Sequence, residues 1–284
     1  MTVMRHSLIA SSLLVLSFGL SGLTMRDREV MSATEPDVEA AVCGSVREPF
    51  MFWLWRNLAG TANPRRVENI AGAQPIEFKT RDGALLAGYK LAAKNPNGYL
   101  LVAPGNAMLA DQLVADLQTF RDRGWDVYIY DYRGYGSSQG KSRLAAIVND
   151  YVEIIYDLKA RGYVQRFLYG ISMGGVILLD AAGASDLYSA LVVDSSPARI
   201  SSLGCPERYD PVNHLPAAGA RLMLISGARD RVVPPRQMTE LIRQARAHGG
   251  WILENAEFAH PYQDSSPATH KRRLNAAAEF LARK

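Results

Sequence analysis

The sequence predicts an alpha/beta protein with a mostly parallel central sheet and helices on both faces of that sheet. Continuous apolar runs such as Tyr99–Ala103 and Arg166–Ile171 predict strands that are covered on both sides. Stretches with apolar residues at helical spacing, such as Leu109–Arg123 and Ala145–Arg161, alternate with them. The length of 284 residues suits one large domain of this class or two small ones.

Residues 1–23 predict export. Arg5 precedes an apolar run that extends from Leu8 to Leu23, and a charged group at 26–29 follows it. This pattern is typical of a cleaved signal peptide or of an uncleaved signal anchor. We therefore expect the rest of the chain to be periplasmic or extracellular, or anchored in a membrane. Leu23 stands where a bacterial lipoprotein carries its lipidated cysteine, which argues against a lipid anchor at that position.

Residues 24–73 are interpreted as a linker followed by an aromatic N-terminal extension. The segment Pro49–Arg56 contains two phenylalanines and two tryptophans. It is either a membrane-interfacial helix or a short helix packed on the edge of the sheet. The two cysteines, Cys43 and Cys205, could form one disulfide in an oxidising compartment or stay free, and the sequence leaves both possibilities open.

Residues 74–284 form the predicted catalytic domain, which opens with a hairpin. Pro75–Thr80 and Leu85–Leu91 both alternate with the period of a strand, and Asp82-Gly83 between them is a turn signal. These runs predict an antiparallel pair ahead of the parallel strands.

The segment Phe167–Val176 has the strongest chemical signal in the chain. An apolar run ends in Gly-x-Ser-x-Gly, and a second apolar run follows directly. This order predicts a strand, a very tight turn and a helix, with Ser172 at the strained apex. Only glycine fits where the strand and helix approach each other, which explains Gly170 and Gly174. Ser172 is therefore a candidate nucleophile.

Three further segments strengthen this interpretation. Gly105-Asn106-Ala107 follows one buried strand, Asp131–Ser138 follows the next, and Gly227–Pro234 follows a later one. With the serine turn, they make the stretch from Pro75 to Lys284 resemble the alpha/beta-hydrolase family. The resemblance implies the alpha/beta-hydrolase fold with a Ser-Asp-His triad, and the motifs assign its members to Ser172, Asp230 and His260. It also implies an oxyanion hole built from the backbone N–H groups of Asn106 and Met173.

Several alternatives remain open around this site. Asp194 also lies at the end of a strand and could replace Asp230 as the acid. The Asp131–Ser138 segment is expected to be structural, with Asp131 and Arg133 paired to each other. Pro197–Gly219 predicts a short lid loop that leaves the site open, and His214 in that loop could touch the substrate.

The predicted activity is cleavage of a carboxylic ester through an acyl-enzyme, with a small-molecule or lipid-like acyl substrate and no cofactor. An acyl-protein thioesterase or a serine peptidase-like hydrolase is the alternative, and a non-catalytic binding protein on the same fold is a lesser one. The histidines lack metal-ligand spacing, so no metal site is expected. The net charge of +4 comes from interspersed charges, and the clusters Arg65-Arg66 and Lys271–Arg273 predict solvated surface rather than a nucleic-acid footprint.

Overall fold

The structure is a computed structural model that describes residues 40–283. This part of the chain contains eight strands: β1 (Ala73–Lys79), β2 (Leu85–Leu91), β3 (Gly98–Ala103), β4 (Trp125–Tyr130), β5 (Gln165–Ile171), β6 (Ala190–Asp194), β7 (Leu222–Gly227) and β8 (Trp251–Asn255). The same residues contain six α-helices: α1 (Arg47–Ala59), α2 (Ala110–Arg121), α3 (Leu144–Ala160), α4 (Met173–Leu178), α5 (Pro235–Ala247) and α6 (Pro267–Leu281).

The eight strands form one sheet in the order β1-β2-β4-β3-β5-β6-β7-β8. Strand β2 pairs antiparallel with both β1 and β4, as the predicted opening hairpin requires. All remaining pairs are parallel. Because the carboxyl ends of parallel strands lie along one edge, the segments that follow β3 to β8 meet there. The predicted mostly parallel sheet is confirmed.

Two apolar clusters cover the two faces of the sheet, as the predicted fold class requires. Residues of α2 and α6 pack on one face, together with Val102, Tyr169 and their neighbours on alternate strand positions. Residues of α1, α3, α4 and α5 pack on the other face, against Leu101 and Leu168 among others. The alternation follows from the strand period of two, which sends successive side chains to opposite faces.

Helix α1 is formed by the aromatic segment of the extension. Phe52 and Ala59 are buried in the core beside α3, whereas Phe50, Trp53 and Leu58 on the outer side are exposed. The helix therefore packs on the domain through one side. Its exposed aromatic side leaves the interfacial interpretation as a prediction.

A disulfide joins Cys43, just before α1, to Cys205 in the loop after β6. The structure therefore favours the bridged form over free thiols. That loop, the predicted short lid, contains only single 3-10 turns between Pro197 and Gly219.

The predicted export segment from Leu8 to Leu23 lies outside the described residues, and so does most of the linker that begins at residue 24. Within residues 40–283, no helix is both long and apolar enough to cross a membrane. The boundary at residue 74 remains a prediction.

The predicted pairing of Asp131 with Arg133 is wrong. Arg133 is buried, and its guanidinium binds Asp82 in the β1–β2 turn and Asp150 in α3. Asp131 instead accepts a hydrogen bond of 2.7 Å from the backbone N–H of Ala110, the first residue of α2. The N–H donors of the guanidinium are thus bound by two carboxylates from separate elements. The Asp131 carboxylate lies instead at the N-terminus of α2, where a negative charge is favourable.

Candidate active site

Ser172 lies at the turn between β5 and α4. Its φ of 53° and ψ of −114° place it in a region that side chains other than glycine rarely adopt. A Cβ on Gly170 would lie 2.6 Å from the backbone of Gly174, and a Cβ on Gly174 would lie 2.0 Å from the Ala103 carbonyl oxygen. The two glycines are thus required by close backbone contacts, and the turn holds the serine in a strained conformation.

The backbone of Ser172 is held by the neighbouring strand exit. Its N–H donates to the Asp194 carbonyl oxygen at 2.8 Å, and its carbonyl oxygen accepts from Ser196 Oγ at 2.8 Å. The Ser172 hydroxyl has no hydrogen-bond partner among residues 40–283, and the residue is half-buried. The backbone of Ser172 is thus fixed by hydrogen bonds at both its N–H and its carbonyl oxygen.

Asp230 and His260 contact each other at the same edge of the sheet. His260 Nδ1 lies 2.8 Å from Asp230 Oδ2, and both residues are buried. A carboxylate can only accept, so Nδ1 carries the proton in this hydrogen bond. In the neutral ring the other nitrogen, Nε2, then has a free lone pair and can accept a proton.

The second oxygen of Asp230 is held by its own turn. Oδ1 accepts from the backbone N–H groups of Val232 at 2.9 Å and Val233 at 2.8 Å. Burial alone would raise the pKa of the Asp230 carboxyl, but the hydrogen bonds from His260 and from these two N–H groups hold the pKa below its ordinary value. The group is therefore an anion at neutral pH, aimed at the imidazole.

The loop that carries His260 is held by Arg273, a residue predicted from its basic cluster to lie on a solvated surface. That prediction is wrong, because Arg273 is fully buried. Its Nη2 donates to the Ala259 carbonyl oxygen at 2.6 Å, and its Nη1 donates to Asp194 Oδ1 at 2.6 Å. Asp264 binds the same guanidinium through both of its carboxylate oxygens. The helical spacing of Arg273 with the apolar Ala277 and Leu281 could have indicated its buried position.

Asp194, the alternative acid, is part of this ion pair. It is fully buried and accepts from Tyr169 Oη at 2.9 Å and from Ser195 Oγ at 3.1 Å, besides Arg273. The structure thus pairs His260 with Asp230 and pairs Asp194 with an arginine. His214 lies elsewhere, with Nε2 against the Arg208 carbonyl oxygen.

The predicted oxyanion loop is held by two tyrosines from the segment after β4. Tyr132 Oη donates to the Pro104 carbonyl oxygen, and Tyr135 Oη donates to Asn106 Oδ1 at 2.6 Å. Both rings are buried. The two tyrosines thus hold the loop at Pro104 and at Asn106. The amide nitrogen of Asn106 is buried without a partner among residues 40–283.

The N–H groups predicted to bind the oxyanion belong to Asn106 and Met173. Met173 is the first residue of α4, so its N–H has no acceptor within its own helix. Asn106 follows β3, and β3 is hydrogen-bonded to β5, the strand that ends at the serine turn. The two groups therefore belong to neighbouring strand ends.

Comparison with known proteins gives relatives in sequence and in fold. Residues 94–206 match the Hydrolase_4 family, described as serine aminopeptidase, S33. The uncharacterized protein YfhR of Escherichia coli K12 is 28% identical over 202 residues, which cover 64% of this chain and 71% of YfhR. The polyketide transferase grgF of a Penicillium species is 32% identical over 148 residues, which cover 49% of this chain and 50% of that protein.

The structure of the esterase Pf2001 of Pyrococcus furiosus has the same fold. It matches with a TM-score of 0.62 at 18% identity and covers 79% of this chain and 96% of its own. The chain therefore has the alpha/beta-hydrolase fold. On this fold, the candidate residues lie on the segments after β3, β5, β7 and β8, all at one edge of the sheet.

Proposed function

We propose that this alpha/beta hydrolase cleaves a carboxylic ester through an acyl-enzyme, with Ser172 as nucleophile, His260 as base and Asp230 as acid. The observation that carries the proposal is the hydrogen bond of 2.8 Å between His260 Nδ1 and Asp230 Oδ2. This contact fixes the tautomer in which Nε2 can take a proton. It lies on the sheet edge where the strained turn presents the Ser172 hydroxyl.

In the proposed reaction, His260 Nε2 takes the Ser172 proton as Oγ attacks the acyl carbon. The N–H groups of Asn106 and Met173 bind the oxyanion that forms, and each such donor typically contributes about 100- to 1,000-fold in rate. His260 then gives the proton to the departing alcohol oxygen. Water, activated by the same imidazole, attacks the acyl-enzyme and releases the acid. Asp230 stabilises the imidazolium in both halves.

The substrate class rests on similarity as well as on chemistry. The neighbour Pf2001 is named an esterase, which supports an ester. The name of the matched family, serine aminopeptidase, favours a peptide bond as the second candidate, and a thioester is the third. All three substrates require acyl transfer from the same serine.

The test of the nucleophile is Ser172→Ala. Ester turnover and covalent labelling by a fluorophosphonate should both vanish, because the only proposed attacking oxygen is removed, while thermal unfolding should change little. Ser137→Ala is the matched control, since Ser137 is exposed on another loop of the same edge. A Ser172→Ala protein that still forms the adduct would refute the assignment. A wild-type protein that is never labelled would favour the non-catalytic alternative.

We also propose that the catalytic domain acts outside the cytosol. The apolar run Leu8–Leu23 after Arg5 favours export. The disulfide between Cys43 and Cys205 supports an oxidising compartment, because such bridges are rare where thiols are kept reduced. Cell fractionation with N-terminal sequencing tests this proposal. A protein that is intact from Met1 and found in the cytosol would contradict it.

A further inference from the structure

An apolar cavity lies next to the candidate oxyanion site. Its volume is about 40 Å³. Met173, which follows the candidate nucleophile, lines the cavity together with Leu144 and Ile200, and the opposite wall comes from α1, as Met51, Phe52 and Trp55. Helix α1 therefore reaches the site that the short lid loop alone would leave open.

Three ties hold this wall in place. The disulfide joins Cys43 to Cys205, so the start of α1 is bonded to the lid loop. Arg47 Nη1 donates to the Leu203 carbonyl oxygen at 2.7 Å. Gly204, which follows Leu203, has a φ of 83°, in the left-handed region that favours glycine.

Glu48 provides the third tie. Its carboxylate is buried and accepts from the backbone N–H groups of Cys43 at 2.6 Å and Leu144 at 2.7 Å. Leu144 is the first residue of α3, whose N-terminus favours a negative charge. Glu48 belongs to α1, so moving the helix away from α3 would break this hydrogen bond and leave the buried N–H of Leu144 without its acceptor.

The chemistry of the cavity selects an apolar group. Arg47 and Glu48 also border it, but their polar atoms are engaged in the ties, and the other side chains that line it are apolar or belong to the disulfide. A cavity needs roughly 10–15 Å³ of this kind of volume for one water-sized group. The space therefore fits roughly three methylene-sized groups.

We propose that this cavity binds the acyl chain of the substrate and that the tethered helix α1 limits the chain to about two to four carbons. The inference rests on the proposed esterase function and adds its substrate class, short-chain acyl esters. Met51 and Trp55 are the large α1 side chains through which this wall would limit the chain. The disulfide holds α1 against the lid loop. A longer acyl chain should therefore enter only when an α1 side chain is shortened or the disulfide is removed.

The first test is a panel of 4-nitrophenyl esters from acetate to dodecanoate. The wild-type protein should show its highest kcat/KM between acetate and butanoate. Trp55→Ala should move the optimum to longer chains, with a gain of about fourfold for each further methylene that becomes buried. Trp53→Ala is the matched control, because Trp53 lies on the same helix but is 52% exposed on its outer side. Equal profiles for the two variants would overturn the proposal.

Two further variants guard against a simple folding defect in Trp55→Ala. Met51→Ala and the double variant Cys43→Ser/Cys205→Ser should both shift the optimum in the same direction. A second panel, of acetate esters of rising alcohol length, should not respond to any of these changes. If the alcohol series shifts instead of the acyl series, the cavity binds the leaving group and the proposal is wrong.

A binding measurement separates failure of this inference from failure of the proposed function. Thermal stabilisation by butanoate and by octanoate is measured on Ser172→Ala protein, where no turnover is involved. Butanoate should stabilise more than octanoate, and Trp55→Ala in the same background should reverse that order. If no ester is cleaved but this reversal is seen, the esterase proposal fails and the cavity assignment holds. Without the reversal, the cavity assignment fails whatever the enzyme cleaves.

Discussion

The ends of β6 and β7 place two buried aspartates on the same edge of the sheet. Their hydrogen-bond partners differ, and so does the chemistry that each carboxylate can support. Asp230, after β7, faces His260, whereas Asp194, at the end of β6, faces Arg273. Imidazole gains and loses a proton near neutral pH, but guanidinium keeps its charge throughout. Only the Asp230 pair can therefore assist proton transfer, while the Asp194 pair can only hold parts of the fold together.

The largest effect on ester turnover is expected from Asp230→Asn. The amide can donate to Nδ1 and so favour the tautomer in which Nε2 carries the proton and cannot act as base. Ester turnover should fall by about 1,000- to 10,000-fold. Thermal unfolding should change much less, because the amide retains the shape of the carboxylate. Wild-type kcat in this variant would remove Asp230 from the triad.

The reciprocal change, Asp194→Asn, should act on stability. It leaves the fully buried Arg273 guanidinium with a single carboxylate, that of Asp264. Breaking a buried ion pair from one side typically costs about 3–5 kcal/mol in the free energy of unfolding. Urea unfolding measures this loss, and kcat per folded molecule should fall by less than about tenfold, in contrast to the far larger loss expected at the proposed acid, Asp230.

The control for this experiment is the double variant Asp194→Asn/Arg273→Met. Removing both charges should restore part of the stability, because no uncompensated charge then remains buried. The opposite pattern, unchanged unfolding with turnover lost in Asp194→Asn, would transfer the acid role to the earlier strand.

The two regions also differ in how far the sequence could predict them. The strand, turn and helix around Ser172 follow from local rules, since Gly170 and Gly174 are required by contacts within a few residues or with the adjacent strand. The buried parallel strands, though not their order in the sheet, followed from continuous apolar runs. Short-range patterns of this kind are visible in a single sequence.

Long-range partners of charged groups were not predictable in the same way. Arg273 stood in a cluster of basic residues, and only the fold brings it to Asp194, which lies 79 positions earlier in the sequence. Arg133 likewise forms ion pairs with Asp82 and Asp150, and not with Asp131 two positions before it. The disulfide and the position of α1 against the site also depend on contacts between distant segments, which composition and periodicity do not encode.

Asp131 is a third buried carboxylate at this edge, and it differs from Asp194 and Asp230 in its partners. It contacts neither an imidazole nor a guanidinium among residues 40–283. It accepts from the backbone N–H of Ala110, and it is buried. Burial raises the pKa of Asp131 to about 6, since the N–H donors lower it less than burial raises it. The folded protein therefore holds a proton on this group at a pH where the unfolded chain has lost it.

The smallest predicted effect follows from that shift. A carboxyl whose pKa is raised on folding contributes stability at low pH and loses that contribution as the pH rises through the folded pKa. Between pH 5 and pH 7, Asp131 should therefore remove about 1 kcal/mol from the free energy of unfolding. Asp131→Asn has no titrating group at this position, so its stability relative to the wild type should improve by that amount over the same interval. Urea unfolding of both proteins at the two pH values measures the difference, and parallel pH dependences would show that Asp131 ionises as freely in the folded protein as in the unfolded chain.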